Sequence, residues 1–232
     1  MCGRTAFTFK WKQLHALLTG NTDGVVMPEE FVRAWQVPDP TPRFNFKPSE
    51  RGPVLKRGQS GPIMPATMTW GFHANGASCA RSESIGEVRL WRRAADSNRC
   101  IVPVSGFYEW SKWDGQAWYF KPAGGDGVLG IAGLWEPASG DAPDAYAVLT
   151  TAPNAVIRGV HDRMPLILPP SHWSAWMSDK PLDNVADLLR VPPDDLLTGY
   201  TVSRTKLARK GADDPSLVEP VHTERQGGLF AG

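Results

Sequence analysis

The sequence predicts an α+β fold, mainly antiparallel β, with a barrel-like sheet, closed or nearly so, and peripheral helices. Three observations predict it. Proline and glycine, 21 and 23 of 232 residues, are spread along the whole chain and punctuate many short segments, which is the texture of a turn-rich β protein. Between those breaks lie short apolar or alternating runs of strand length. No shift in composition separates two domains, and a chain of this length can bury one large core. The expected organisation is one domain over residues 1–222 and a flexible tail over 223–232.

The elements follow in order. Strands are expected at Arg4–Phe9, Met64–Trp70, Cys100–Val104, Gly106–Trp110, Trp118–Lys121, Val128–Leu134, Ala145–Thr151, Met164–Ile167 and Gly199–Val202. Asp114-Gly115, between two aromatic strands, reads as a hairpin turn. A short helix is expected at Lys12–Leu18. Ser84-Ile85-Gly86-Glu87 has capping-box spacing and predicts a helix through Arg92. Ser171–Met177 follows a Pro-Pro pair, and Asn184–Leu189 follows Asp183 as N-cap. The polar, proline-rich stretch Asn21–Arg51 predicts an ordered loop with one helical turn.

Hydrophobic residues at 41% and charged residues at 21% are ordinary for a globular protein. A net charge of +1 names no partner, but its distribution is uneven. Arg81, Arg89, Arg92, Arg93 and Arg99 form one basic stretch, and Arg204, Lys206, Arg209 and Lys210 another. Such patches suit a phosphate backbone and are equally the mark of a solvated face. Ten tryptophans should mostly lie in the core, with some at a ligand surface. The three cysteines, Cys2, Cys79 and Cys100, make no CxxC and argue against a disulfide framework and a structural zinc site. With no apolar leader or membrane-length stretch, the expectation is a cytoplasmic protein with reduced thiols, nucleoid-associated if bacterial.

The chemistry starts at Met1-Cys2-Gly3-Arg4. A small second residue permits removal of the initiator methionine, leaving Cys2 with an α-amine and a thiol on adjacent carbons. With pKa values of roughly 8 and roughly 8.5, both nucleophiles are available near neutrality. The amine can form a Schiff base with an aldehyde and the thiol can close a thiazolidine on the same carbon. Gly106-Phe107-Tyr108-Glu109-Trp110 sets one carboxylate in an aromatic strand. Either it faces solvent by alternation, or burial raises its pKa toward values useful for proton transfer. His161, in His161-Asp162-Arg163-Met164-Pro165, sits between a turn and an apolar strand and suits a titratable site edge. Arg81, in Cys79-Ala80-Arg81-Ser82-Glu83-Ser84, stands at an expected helix entrance, where it can bind phosphate or pair with Glu83 or Glu87.

These segments, with Phe44-Asn45-Phe46-Lys47-Pro48, Met68-Thr69-Trp70-Gly71-Phe72 and Arg99-Cys100-Ile101-Val102-Pro103, resemble in order the SOS-response-associated peptidase (SRAP) family over about residues 1–222. The resemblance implies an SRAP-like fold. It implies a thiazolidine crosslink between the mature N-terminal cysteine and a ring-opened abasic site in single-stranded DNA, with abasic-site lyase and self-processing peptidase activities. Because the amine–thiol pair suffices for the aldehyde chemistry, no metal or organic cofactor is expected. On that resemblance Cys2 is the nucleophile, Glu109 handles the α-amine proton, and His161 assists sugar ring opening and crosslink reversal. Arg4 and Arg81 hold phosphates, and Asn45, Thr150 and Arg204 line the DNA groove. The other readings are a non-covalent single-stranded DNA-binding module and an N-terminal-cysteine peptidase acting on peptides.

Two departures stand out. The family has Asn before Ala80-Arg81, where this chain has Cys79. Cys79 is then either tolerated with slower chemistry, a partner for a regulatory disulfide with Cys2, or replaced in its role by Asn75. The family's longer loop between the Trp-Gly and Arg motifs, often carrying tryptophans, is cut to eleven residues from Trp70 to Arg81. Base stacking is worth roughly 1–3 kcal/mol, so weaker binding at single-strand/double-strand junctions is expected unless Phe72 or His73 takes over. Finally, Gln226-Gly227-Gly228-Leu229-Phe230 resembles the short motif by which bacterial repair proteins bind the sliding clamp, through Gln226, Leu229 and Phe230.

Overall fold

The computed structural model of the protein describes residues 3–20, 37–57, 61–125 and 127–221. Among these, the strands form two sheets. The first runs in the order β13 (Leu197–Thr201), β8 (Ala117–Pro122), β7 (Gly106–Trp110), β1 (Thr5–Phe7), β2 (Arg43–Phe46), each pair antiparallel. The second contains β3 (Arg51–Arg57), β4 (Ile63–Trp70), β6 (Arg99–Val104), β9 (Leu129–Glu136) and β10 (Ala145–Thr151). These five pair in the circuit β10–β4–β3–β6–β9–β10, a closed ring. β5 (Cys79–Arg81) and β11 (Met164–Pro165) attach to β10, and β12 (Ile167–Leu168) to β9. Only the pairings of β10 with β4 and with β5 are parallel. The mainly antiparallel α+β architecture with a ring-like sheet is therefore the one the turn-rich sequence predicts.

The ring dictates which residues are apolar. Every residue of β6 and of β10 is buried, so both strands read as continuous apolar runs instead of alternating ones. The first sheet is also covered on both sides. Phe107 of β7 joins Phe120 in the main core, stacked at 5.4 Å, while Tyr108 joins Ala6, Tyr119, Val202, Leu207 and Leu217 in a second cluster. Gly106 is required there: a Cβ would collide with Tyr119 and with the Phe120 carbonyl.

Helices pack around the sheets. α1 (Trp11–Thr19) ends on Gly20, whose φ of 65° is the left-handed stop that glycine supplies. α2 (Arg89–Ser97) and α4 (Pro170–Trp176) cover the ring, and α3 (Ala155–Arg158) and α5 (Arg204–Ala208) are single turns. The Trp173 and Trp176 indoles of α4 are fully buried and donate to Leu168 O and Cys100 O. Among the described residues no helix is long and apolar enough to cross a membrane.

The structure departs from the sequence expectations in specific places. The capping box at Ser84 is not used for a helix. Ser82–Ser84 is a 3-10 turn, the Ser84 carbonyl accepts from Glu87 and Val88 N–H, and α2 starts only at Arg89. Gly86 weakens the helix in that window, and Ile85 must be buried. Arg81 therefore ends a strand and does not stand at an α-helix entrance. Leu182–Leu188 is 3-10 in place of the expected α-helix. β2 and β3 arise in or beside the stretch read as a loop, because β1 and β4 supply their hydrogen-bond partners. The expected strand over Met64–Trp70 is found as β4, whereas Met164–Ile167 splits at Leu166, which bonds to both β9 and β10. Residues 21–36 of that loop, and the tail with Gln226, Leu229 and Phe230, lie outside the described residues.

Arg99, counted above in a basic surface stretch, is buried. Its guanidinium donates to the carbonyls of Ala95, Asp96, Trp176, Ser178 and Lys180 and lies 5.5 Å from the Trp176 ring. It thus ties α2, β6 and the end of α4 together. Arg99→Met keeps most of the side-chain length but strands those acceptors, so a loss of about 3 kcal/mol is expected in denaturant unfolding. An unchanged midpoint would contradict this role.

Candidate active site

The site forms where the β7–β8 hairpin meets the loop after α3 and the parallel pair β5–β10. Glu109 is the fourth residue of β7, opposite Trp118 of β8, and is only 2% exposed. Burial pushes its carboxyl up to about 7, and the negative charge of Asp162 adds to the rise. Of the two readings of this carboxylate, the structure selects the buried one.

His161 is placed by α3. Asn154 caps that turn through its side chain, which accepts from Ile157 N–H, and His161 N–H bonds to Ile157 O. His161 Nδ1 lies 3.0 Å from the Arg163 amide nitrogen and 3.1 Å from the Arg163 carbonyl oxygen, so the Arg163 backbone fixes the orientation of the ring. Burial lowers the imidazole pKa, so the ring is neutral at neutral pH. Asp162 Oδ1 lies 3.2 Å from His161 Nδ1, and the Lys112 ammonium pairs with Asp162. The hairpin is fastened to this loop by Lys112 N–H to Val160 O at 3.1 Å and by the Trp113 indole N–H to Gly159 O at 3.1 Å.

Arg163 organises the other wall. Its guanidinium grips Glu83 with two bonds of 2.6 and 2.8 Å and donates to the carbonyl and hydroxyl of Thr150. This pairing holds the Glu83 carboxyl below its usual range. Thr150, buried on β10, donates to Ala80 O and pairs with Arg81 across the parallel ladder. Cys79 pairs with Val148 two residues earlier. Burial pushes the Cys79 thiol up, and the Glu109 charge raises it further, so Cys79 is protonated at neutral pH. Cys79, Thr150, Arg163, His161 and Glu109 are thus neighbours in one region. Arg81, at the end of β5, is exposed on its rim.

The remaining expected residues stand elsewhere. Arg4 lies over Trp110, 4.9 Å from the ring, and donates to Leu207 O. Asn45 is buried on β2, where its side-chain amide donates to Ala212 O and its own N–H to Asp213. Arg204 begins α5 with its guanidinium over Gly115, at the tip of the hairpin, where φ is 70°. Asn75 accepts from Ala77 N–H within its own turn. Phe72 is buried edge-on against Trp91, so it is not available as a replacement stacking surface, and His73 is engaged with Glu136 and Pro143 O. Cys2 lies outside the described residues; the chain is described from Gly3, β1 begins with Thr5 opposite Phe107 of β7, and Tyr108 N–H bonds to Arg4 O. Sequence reasoning gave no role to Arg163, Lys112 or Trp113. Arg163 stood within the His161–Pro165 motif, and a tryptophan beside an Asp-Gly turn was the available signal for the third. Among the described residues no group of three or more His, Cys, Asp or Glu side chains is placed to hold a metal.

Comparison with known proteins defines first the architecture and then the family. A crystal structure of a Bacteroides thetaiotaomicron protein superposes with a TM-score of 0.71 at 17% identity, covering 95% of this chain and 100% of that one. A phage-related protein of Bordetella bronchiseptica superposes at 0.67 with 25% identity, over 87% and 94% of the two chains. The chain belongs to the SOS response associated peptidase (SRAP) family, whose profile matches residues 1–206. Similar relatives are the abasic site processing proteins YoqW of Bacillus subtilis (29% identical, 60% of this chain and 65% of YoqW) and YoaM of the same strain (32%, 53% and 58%). HMCES of Xenopus tropicalis, also an abasic site processing protein, is 27% identical over 72% of this chain and 63% of its own. The matches span less than two thirds of these relatives' lengths.

The Glu109 environment has a consequence for stability. In the folded chain its carboxyl holds a proton up to about pH 7, whereas unfolded it ionises near 4.5. Folding carries no penalty from this group below about pH 4.5 and loses stability as pH rises through about 7. Glu109→Gln removes the ionisation. It should therefore unfold at higher denaturant than the parent at about pH 8, by up to about 3 kcal/mol, with the gap closing toward about pH 4.5. A gap equal at both pH values would count against the buried carboxyl.

Proposed function

We propose that the mature protein captures abasic sites in single-stranded DNA through Cys2. The observation that carries this reading is the buried Glu109 carboxyl, held up to about 7 on β7, the strand that pairs with β1 a few residues after Cys2 in the sequence. A group that exchanges a proton near neutrality is thereby carried on the strand next to β1. Membership of the SRAP family and the names of the relatives support the choice of DNA lesion.

The steps balance without a cofactor. With Met1 removed, the Cys2 α-amine adds to the C1′ aldehyde of the ring-opened sugar. The carbinolamine then loses water to give a Schiff base. The Cys2 sulfur adds to the same carbon, its proton ends on the nitrogen, and a thiazolidine closes; one water is released overall. Glu109, titrating near neutrality, accepts the amine proton and returns it to the departing hydroxyl. The neutral His161 assists opening of the sugar ring and reversal of the crosslink. Arg81 offers a charge to the flanking phosphate at the open rim, and Thr150 is kept in place by Arg163. Lyase cleavage would proceed from the same Schiff base, and self-removal of Met1 would use the same acid–base pair.

One gel tests the proposal. Protein is mixed with a single-stranded oligonucleotide carrying one abasic site and then denatured. A band that survives SDS and vanishes for Cys2→Ala is expected, and a native shift without a surviving band would defeat the covalent reading. Cys79→Asn should speed formation of that band several-fold, because a protonated thiol is a poor hydrogen-bond partner for the reacting sugar. Equal rates would mean that position 79 does not limit the chemistry.

A further inference from the structure

Trp113 is 78% exposed, the most exposed large apolar side chain among the described residues. It is also held. Its indole N–H is bonded to Gly159 O, its own amide and that of Asp114 bond to the Ser111 hydroxyl, and the adjacent Lys112 is tied to Val160 O and Asp162. One ring edge is therefore anchored to the loop that carries His161, while most of the ring surface stays in water. The proposed family function has no use for it, and core packing does not explain it.

The geometry points to Trp113 as a stacking platform for an unpaired base flanking the abasic nucleotide. This rests on the function proposed above and adds a binding contact to it. Three observations favour a base over another occupant. First, Trp113 is four residues from Glu109, at most about 14 Å along the chain, or about four stacking steps of about 3.4 Å. A strand with its lesion at Glu109 and His161 therefore carries a neighbouring base within reach of the ring. Second, the Arg204 guanidinium lies over Gly115 of the same hairpin, with Lys206 and Arg209 following on or beside α5. A stacking ring beside cationic groups is the pairing by which single strands are held without sequence preference. Third, the anchored indole has little rotamer freedom left to lose on binding.

The test uses the full-length mature protein and single-stranded oligonucleotides with one abasic site and a 2-aminopurine at each of the four nearest positions on either side. In the parent, 2-aminopurine fluorescence should be quenched strongly at one or two adjacent positions on a single side. Trp113→Ala should abolish that position-specific quenching and raise the DNA concentration giving half-maximal crosslinking about ten-fold, with a smaller effect on the rate at saturating DNA. Trp113→Tyr should recover most of both signals, and Trp113→Leu should not. If the parent crosslinks but Trp113→Ala matches it in half-saturation and quenching, the platform is wrong while the function stands. If the parent neither binds nor crosslinks abasic DNA, both fall.

Discussion

The arrangement depends on one strand, β10. It pairs with β9 and β11 as an antiparallel neighbour and with β4 and β5 as a parallel one, and each of its seven residues is buried. A backbone buried on both faces must find hydrogen-bond partners along its length, since an unpaired amide or carbonyl away from water is costly. That demand closes the ring of strands. It also fixes where β5 ends, and with it the positions of Cys79 and Arg81 beside Val148 and Thr150. The Arg163 fork then completes the wall by joining Thr150 to Glu83 across elements far apart in sequence.

Against this rigid wall the protein places a group that costs stability. A carboxyl in the core of an aromatic strand is unfavourable when ionised, and the fold accepts that cost at Glu109. The same desolvation that weakens folding above neutrality brings the group's titration to where proton transfer is efficient. His161 is displaced the other way, toward the neutral ring, by burial. Two titratable groups are thus moved from their ordinary values in one region, linked through Asp162 and Lys112, which marks that region as the candidate site.

Much of this was legible in the chain. β7 and β10 have the bounds their residue patterns predict, and the Asp114-Gly115 turn is where that dipeptide put it, because apolar runs between breakers and turn chemistry are local signals. The capping box at Ser84 failed for a reason outside its own window: Ile85 was needed in the core and Gly86 weakened the helix. β2, β3 and β5 were missed because short or proline-bearing segments become strands only when a neighbour offers a ladder. The basic stretch that ends at Arg99 divided, with Arg99 taken inside by five carbonyls, since charge patterning along a chain does not reveal which side chains the fold will bury.

What the sequence by itself determined was the fold class and the family, both carried by local pattern and motif order. Only the tertiary structure decided that Glu109 faces inward, that Arg4 is spent on Trp110 and Leu207, and that Arg163 braces Thr150. It also decided that Trp113 stands in water with one edge pinned beside His161. Those outcomes depend on desolvation and on partners brought from distant parts of the chain, and neither is written in the spacing of residues along a strand.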